Sequence, residues 1–233
     1  MKPFLFVALD DLTKQERNIL EIAEQLSEVE GDFGFKINLD YLLKKGIQDA
    51  VENVKQFGRP VFADLKMWNG GRTMTSVIEN LVSVEVEYLN VYALADDLLP
   101  EAIKIVEDSK TKVLGLTVLT HYSEDYCQKH FHRSLRESVR HFAEVAIEAG
   151  CHGILLPGPT LEIVQDIEII KAVPGVRPEW FTDNRHKEVI EPGEAIRKGA
   201  LILVCGSPIM KNVDIVKALK KILAEMRLYS KKS

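Results

Sequence analysis

The segment Val61-Phe62-Ala63-Asp64-Leu65-Lys66-Met67 sets an aspartate and a lysine two residues apart at the end of an apolar run. Residues i and i+2 of an extended strand project to the same face, so Asp64 and Lys66 would stand side by side. Two earlier apolar runs also end in a charge. Phe6-Val7-Ala8-Leu9 leads to Asp10, and Phe33-Gly34-Phe35 leads to Lys36. Any one of these charges fits a strand end that simply meets water. Buried charges are costly unless paired, so opposite charges closing three successive strands point to a site that handles charge.

Two further segments combine glycine and proline at strand ends: Val173-Pro174-Gly175-Val176-Arg177-Pro178 and Val204-Cys205-Gly206-Ser207-Pro208-Ile209. Glycine lets a backbone approach an anion closely, and backbone N–H groups at such junctions hold phosphate in many α/β proteins. Each junction alone also reads as ordinary turn punctuation. His130-Phe131-His132 has no third metal ligand near it in sequence and reads as a loop that caps a helix, so no metal is expected there. Cys205 reads as a small buried hydrophobe. Trp68 reads as packing beneath the loop after the third charged strand, with a lid or interface as the other possibility.

These residues need a scaffold that gathers strand ends. Strand-like runs fall at Phe4–Leu9, Phe33–Ile37, Val61–Leu65, Tyr88–Tyr92, Lys112–Val118, Gly153–Leu156, Ile170–Val176 and Ala200–Cys205. They lack strict polar alternation, as expected of strands buried on both faces of a parallel sheet. Helical periodicity fills the intervals: Glu16–Val29, Leu39–Gln56, Thr73–Val84, Leu98–Asp108, Leu135–Ala149, Leu161–Ile170, the short Gly193–Lys198, and Asp214–Arg227. Strict alternation implies an α/β fold. An open doubly wound sheet and a (β/α)8 barrel both fit, and the barrel is the expectation, as one domain over residues 1–233. A length of 233 residues suits that fold, although it also permits two small domains.

Composition narrows the function. A net charge of −5 gives no basic surface for nucleic acid or anionic membrane. Three cysteines without CxxC spacing suit a reducing cytoplasm rather than a disulfide framework. The N-terminal apolar run is too short for a signal sequence, and no stretch approaches a membrane span. A cytoplasmic protein is expected.

The third-strand segment resembles the Asp-x-Lys-x-x-Asp signature of the orotidine monophosphate decarboxylase suprafamily. Lys36 and Asp10 match that family's second-strand lysine and first-strand aspartate. Asn90-Val91, the run from Leu116 to Thr120, Pro174-Gly175-Val176-Arg177-Pro178, Thr182-Asp183-Asn184-Arg185 and Val204-Cys205-Gly206 follow in family order. The resemblance covers about the whole chain. It implies a TIM barrel and a decarboxylation of orotidine 5′-monophosphate to uridine 5′-monophosphate, in pyrimidine biosynthesis, with no cofactor and no metal. By resemblance Lys66 stabilises the carbanion and protonates it, Asp64 orients Lys66 and crowds the substrate carboxylate, and Lys36 contacts ribose and holds Asp64. Asp10, Thr73, Thr120, Arg177 and Asn184 would bind substrate, and Gly175, Gly206 and Ser207 the phosphate. Metal-dependent sister enzymes carry glutamate where Lys36 stands, which favours the nucleotide branch. A homodimer is implied, because position 69 reaches a partner's site in the family.

The chain departs from the pattern in three places. Asn69 replaces the signature's second aspartate, so the lysines lose a counter-charge. Ser207 replaces an arginine that grips phosphate. Gly70-Gly71-Arg72-Thr73 replaces an Ile-Pro-Asn-Thr-like segment. Two other readings therefore stand beside the decarboxylase: a barrel relative acting on another phosphorylated substrate, and a catalytically weak nucleotide-binding protein.

Overall fold

The computed structural model describes residues 2–10, 18–181 and 189–230. Eight parallel strands close into a barrel in sequence order: β1 (Phe4–Ala8), β2 (Phe33–Asn38), β3 (Val61–Met67), β4 (Tyr88–Tyr92), β5 (Lys112–Leu116), β6 (Gly153–Leu155), β7 (Ile170–Pro174) and β8 (Ile202–Cys205). The closing pair is β8 against β1, with Val204 opposite Phe6. The expected barrel is therefore the one formed, and no open sheet remains.

Both faces of each strand are buried, for different reasons. In β1, Leu5 and Val7 pack outward against the helices, while Phe6 and Ala8 point into the barrel. The interior is filled by Phe6, Phe62, Leu114, Leu155, Ala172 and Val204 among others. Phe6 meets Phe62 edge-on at 5.5 Å between centroids and Tyr88 at 5.6 Å. This plug makes the barrel a packed core and leaves open only the end where the strands finish.

The helices follow the apolar stripes, with α1 at Ile19–Ser27, α4 at Gly71–Ser83, α5 at Leu99–Val106, α7 at Leu135–Glu148, α8 at Pro192–Arg197 and α10 at Ile215–Ser230. Helix α7 starts with a full capping box, Ser134 with Glu137, which satisfies two otherwise unpaired backbone donors.

Four local features differ from the expectations. The helix expected over Leu39–Gln56 is two, α2 (Leu39–Lys45) and α3 (Ile47–Lys55). Gly46 between them has φ 83°, a left-handed value that interrupts the hydrogen-bond ladder and that glycine adopts without strain. The helix expected over Leu161–Ile170 is a 3₁₀ segment, Gly158–Val164. Pro157 and Pro159 restrict its entry, and the chain must reach β7 by Ile170. Helix α6 (Glu124–Phe131) was not expected. Its Ser123 cap accepts from the Tyr126 N–H, and two acidic residues open its first turn. His130 lies on α6, whereas His132 closes it in a left-handed conformation, so the two rings do not form a strand-like pair. Finally, the four-residue helix α9 (Ser207–Met210) follows β8 directly.

Candidate active site

The register of β1, β2 and β3 sets the charges at one depth. Ala8 lies opposite Lys36, and Asn38 lies opposite Asp64. The Lys36 ammonium reaches four oxygens: Asp10 Oδ1 at 3.0 Å and Oδ2 at 3.3 Å, Asp64 Oδ2 at 2.8 Å, and Asn38 Oδ1. Asp64 Oδ2 also accepts from Lys66 Nζ at 2.6 Å, while Asp64 Oδ1 accepts from the Asn90 amide at 2.7 Å. The result is a continuous Asp10–Lys36–Asp64–Lys66 chain of alternating sign.

Lys36 and Asp64 are 4% and 7% exposed, whereas the Lys66 side chain is 40% exposed. Burial alone would push the Asp64 carboxyl up. The charges and hydrogen bonds of Lys36 and Lys66 outweigh burial and hold it well below the usual carboxylate range. Burial likewise works against the Lys36 ammonium, and the two carboxylates overcome it, raising Lys36 above its ordinary value. Both groups are therefore charged at neutral pH. Within the chain Lys36 has two carboxylate partners, Asp10 and Asp64, whereas the only carboxylate paired with Lys66 among the described residues is Asp64.

Asp64 and Lys66 do share a face, but not along a regular strand. The β3–β4 pairing shifts register between Ala63 and Met67, and Lys66 has φ 46°. A left-handed lysine costs roughly 1–2 kcal/mol. Its backbone N–H is held by Asn90 Oδ1 at 2.7 Å.

The array forms one side of a cavity of about 280 Å³. Phe62, Leu116, Leu155 and Val204 floor it, Val118 to Thr120 wall it, and Gly175, Arg177, Gly206, Ser207 and Lys211 lie toward β7 and β8. Gly175 has φ 71°, so a side chain there would be strained. Arg177 is 7% exposed and its guanidinium lies 5.7 Å from the Phe181 ring centroid. The cavity thus has an ionic end, an apolar floor and a second end that brings two cations beside two glycines. It can take an elongated ligand with an anion at that second end.

Of the residues singled out from sequence, Asp10, Lys36, Asp64, Lys66, Thr120, Gly175, Arg177, Gly206 and Ser207 line this cavity. Asn69 and Thr73 are not among its lining residues; they lie at the start of α4 and in the loop before it. Asn184, with Thr182, Asp183 and Arg185, lies outside the described residues. Sequence reasoning missed Asn38 and Lys211, both lining the cavity, and assigned no role to Asn90. Asn38 carried a signal, being i+2 from Lys36 on the same strand; Lys211 carried none, because it is one of many lysines in a helical region. Cys205 is buried beside the cavity, and burial pushes its thiol up to about 12, consistent with a packing role. Among the described residues, no group of three or more His, Cys, Asp or Glu side chains is arranged to hold a metal.

The family model described as "Orotidine 5'-phosphate decarboxylase / HUMPS family" matches residues 3–222. Similar curated proteins include the orotidine 5'-phosphate decarboxylase of Moorella thermoacetica, 31% identical, with 97% of this chain and 93% of that protein aligned. The protein of the same name from Carboxydothermus hydrogenoformans is 29% identical over 97% of both. Among solved structures, orotidine 5'-phosphate decarboxylase from Lactobacillus acidophilus superposes with a TM-score of 0.76 at 22% identity, covering 97% of this chain and 99% of that one. An uncharacterized conserved protein from Geobacillus kaustophilus gives a TM-score of 0.78 at 21% identity, covering 96% and 100%. At those identities the two structures speak to the fold.

Proposed function

The chain belongs to the orotidine 5'-phosphate decarboxylase / HUMPS family, and from that membership we propose that it decarboxylates orotidine 5′-monophosphate to uridine 5′-monophosphate, without a metal, in pyrimidine biosynthesis. The observation that carries this reading is the Asp10–Lys36–Asp64–Lys66 chain, buried at Lys36 and Asp64, facing a cavity with cations at its far end.

In this reading the pyrimidine lies over Lys66 and its 6-carboxylate lies against Asp64. The bond from C6 to the carboxylate breaks, CO₂ leaves, and the electron pair stays on C6. The Lys66 ammonium, already placed against Asp64, stabilises that pair and then donates its proton to C6. Charge stabilisation by groups that need not reorganise is often the largest catalytic contribution. Asp64 keeps Lys66 aimed and, being ionised, also opposes the substrate carboxylate until CO₂ departs. Lys36 and Asp10 face the ribose hydroxyls, and Thr120 the ring. Arg177, Gly175, Gly206 and Ser207 receive the phosphate, with Lys211 as a second cation where the family's arginine is replaced by Ser207. The donor set suits metal-free chemistry, because both oxygens of Asp64 already accept from nitrogen donors.

The wider context is part of the same proposal: one barrel domain, working in the cytoplasm as a homodimer. Leu43 and Trp68, 76% and 61% exposed, follow β2 and β3 closely and support a covered face there. Asn69 and Thr73 would serve the partner's cavity across it, and Asn184 would bind substrate from its own chain.

Ser207 and Asn69 favour one competing reading, a different phosphorylated substrate on the same array. A thermal-shift comparison separates the two. Uridine monophosphate and 6-azauridine monophosphate should raise Tm, and sugar phosphates should not. A shift with sugar phosphates alone would overturn the nucleotide assignment.

A further inference from the structure

Between β3 and β4 the ladder pairs Ala63 with Leu89 and next pairs Met67 with Val91. Asp64, Leu65 and Lys66 therefore lie opposite Asn90 alone. A bulge of this kind leaves backbone groups without their usual partners and re-aims side chains. Here the gap contains the two residues that face the reacting atoms, and a single side chain fills it.

Asn90 is fully buried. Its Oδ1 accepts the Lys66 backbone N–H at 2.7 Å, and its Nδ2 donates to Asp64 Oδ1 at 2.7 Å. Only one orientation of the amide serves both contacts. Turning it over would set an NH₂ group against the Lys66 N–H and an oxygen against a carboxylate. Asp64 Oδ2 is taken by the two lysines, so Asn90 fixes the remaining oxygen and with it the plane of the carboxylate. The same amide secures the backbone of Lys66 in the left-handed conformation, φ 46°, that delivers Nζ to Asp64. Neither contact could be made by a strand residue lacking both a donor and an acceptor at this reach.

We infer that Asn90 is a positioning residue for the reaction: its amide locks the Asp64 carboxylate and the Lys66 backbone into one geometry, without touching substrate. The inference rests on the decarboxylase reading for its kinetic consequence, and on the bulge alone for its structural one. Asn90 does not line the cavity, so its loss should leave ground-state binding in place while misaligning the proton donor. Misplacement of reacting groups by about 1 Å can cost on the order of 100-fold.

The test uses Asn90→Leu, similar in volume but without either bond, and Asn90→Asp, which keeps the acceptor for the Lys66 N–H and replaces the donor to Asp64 with a carboxylate oxygen that repels it. The full-length variants are assayed with orotidine monophosphate and their crystal structures determined. In both, kcat should fall roughly 10- to 100-fold while KM and affinity for uridine monophosphate stay close to wild type. In the Asn90→Leu structure, Lys66 should leave its left-handed conformation and its contact with Asp64. Unchanged kcat in either folded variant, or equal losses in kcat and affinity, would overturn the inference. If Asn90→Leu does not fold, Asn90→Asp decides by the same split between kcat and KM. If the wild-type protein does not turn over orotidine monophosphate, the decarboxylase reading is what fails. The variant structures then decide the clamp, and an unmoved Lys66 in them would refute it.

Discussion

The two ends of the cavity are built on different principles. At the ends of β1 to β3, charged side chains bond to one another: Lys36 to Asp10 and Asp64, and Asp64 to Lys66. At the ends of β7 and β8, the lining comes from glycines, Ser207 and two cations. The first end is organised before any ligand arrives, and its cost is met by folding, since a paired buried charge is tolerable where a lone one is not. The second end is shaped by backbone and counts two cations, Arg177 and Lys211, among its lining residues. Damage to the first should therefore appear in stability and kcat, and damage to the second in KM.

The largest effect that would break this contrast is on stability. Lys36→Met removes the cation shared by two carboxylates, one of them buried, and should cost about 3–5 kcal/mol in urea unfolding. A loss below about 1 kcal/mol would mean that the array is solvated and weakly coupled. At the other end, Lys211→Ala should leave urea stability nearly unchanged and raise KM for orotidine monophosphate on the order of 10- to 100-fold, the worth of one charge-assisted phosphate contact. An unaltered KM would remove Lys211 from the phosphate end and leave Arg177 and backbone groups to act alone.

The smallest effect sharpens the contrast through pH. Because Asp64 is held below its ordinary range, its contribution to stability is complete above the unfolded carboxylate value, near about pH 4. That contribution is lost only as pH falls through the lower, folded value. Lys36 is raised, so its contribution is complete below the unfolded lysine value and is lost only as pH rises through the higher folded one. The Asp64 carboxyl carbon, followed by NMR, should show no titration between about pH 7 and about pH 4. A midpoint in that interval would show that the two lysines do not hold it.

Much of the ionic end was legible in the sequence, because strand alternation leads to the expectation of Asp64 beside Lys66 and the apolar runs announce where the strands finish. The bulge that carries this pair was not legible. It depends on the pairing of β3 with β4, and nothing local in Val61–Met67 marks Lys66 as left-handed. Asn90-Val91 stood out only as part of the family resemblance, and the role of Asn90 was hidden for the same reason: an asparagine inside an apolar strand gains its meaning only from what lies across the ladder. The glycines at β7 and β8 were legible as close-approach positions, whereas Lys211 was not, since its place at the cavity follows from the turn that α9 makes after β8. The break at Gly46 had a visible cause, a glycine directly after Lys44 and Lys45, but helical periodicity on both sides masked it. Asn69 and Thr73 show where a one-chain reading stops, because they do not line this chain's cavity.

The most direct test of the central claim is the loss of absorbance of orotidine monophosphate with purified wild-type protein and with Lys66→Ala. The expected result is turnover by the wild type and a loss of roughly 1000-fold or more in kcat for the variant, the scale of removing a group that both stabilises charge and transfers a proton. No turnover by folded wild-type protein, or equal turnover by the two, would contradict it.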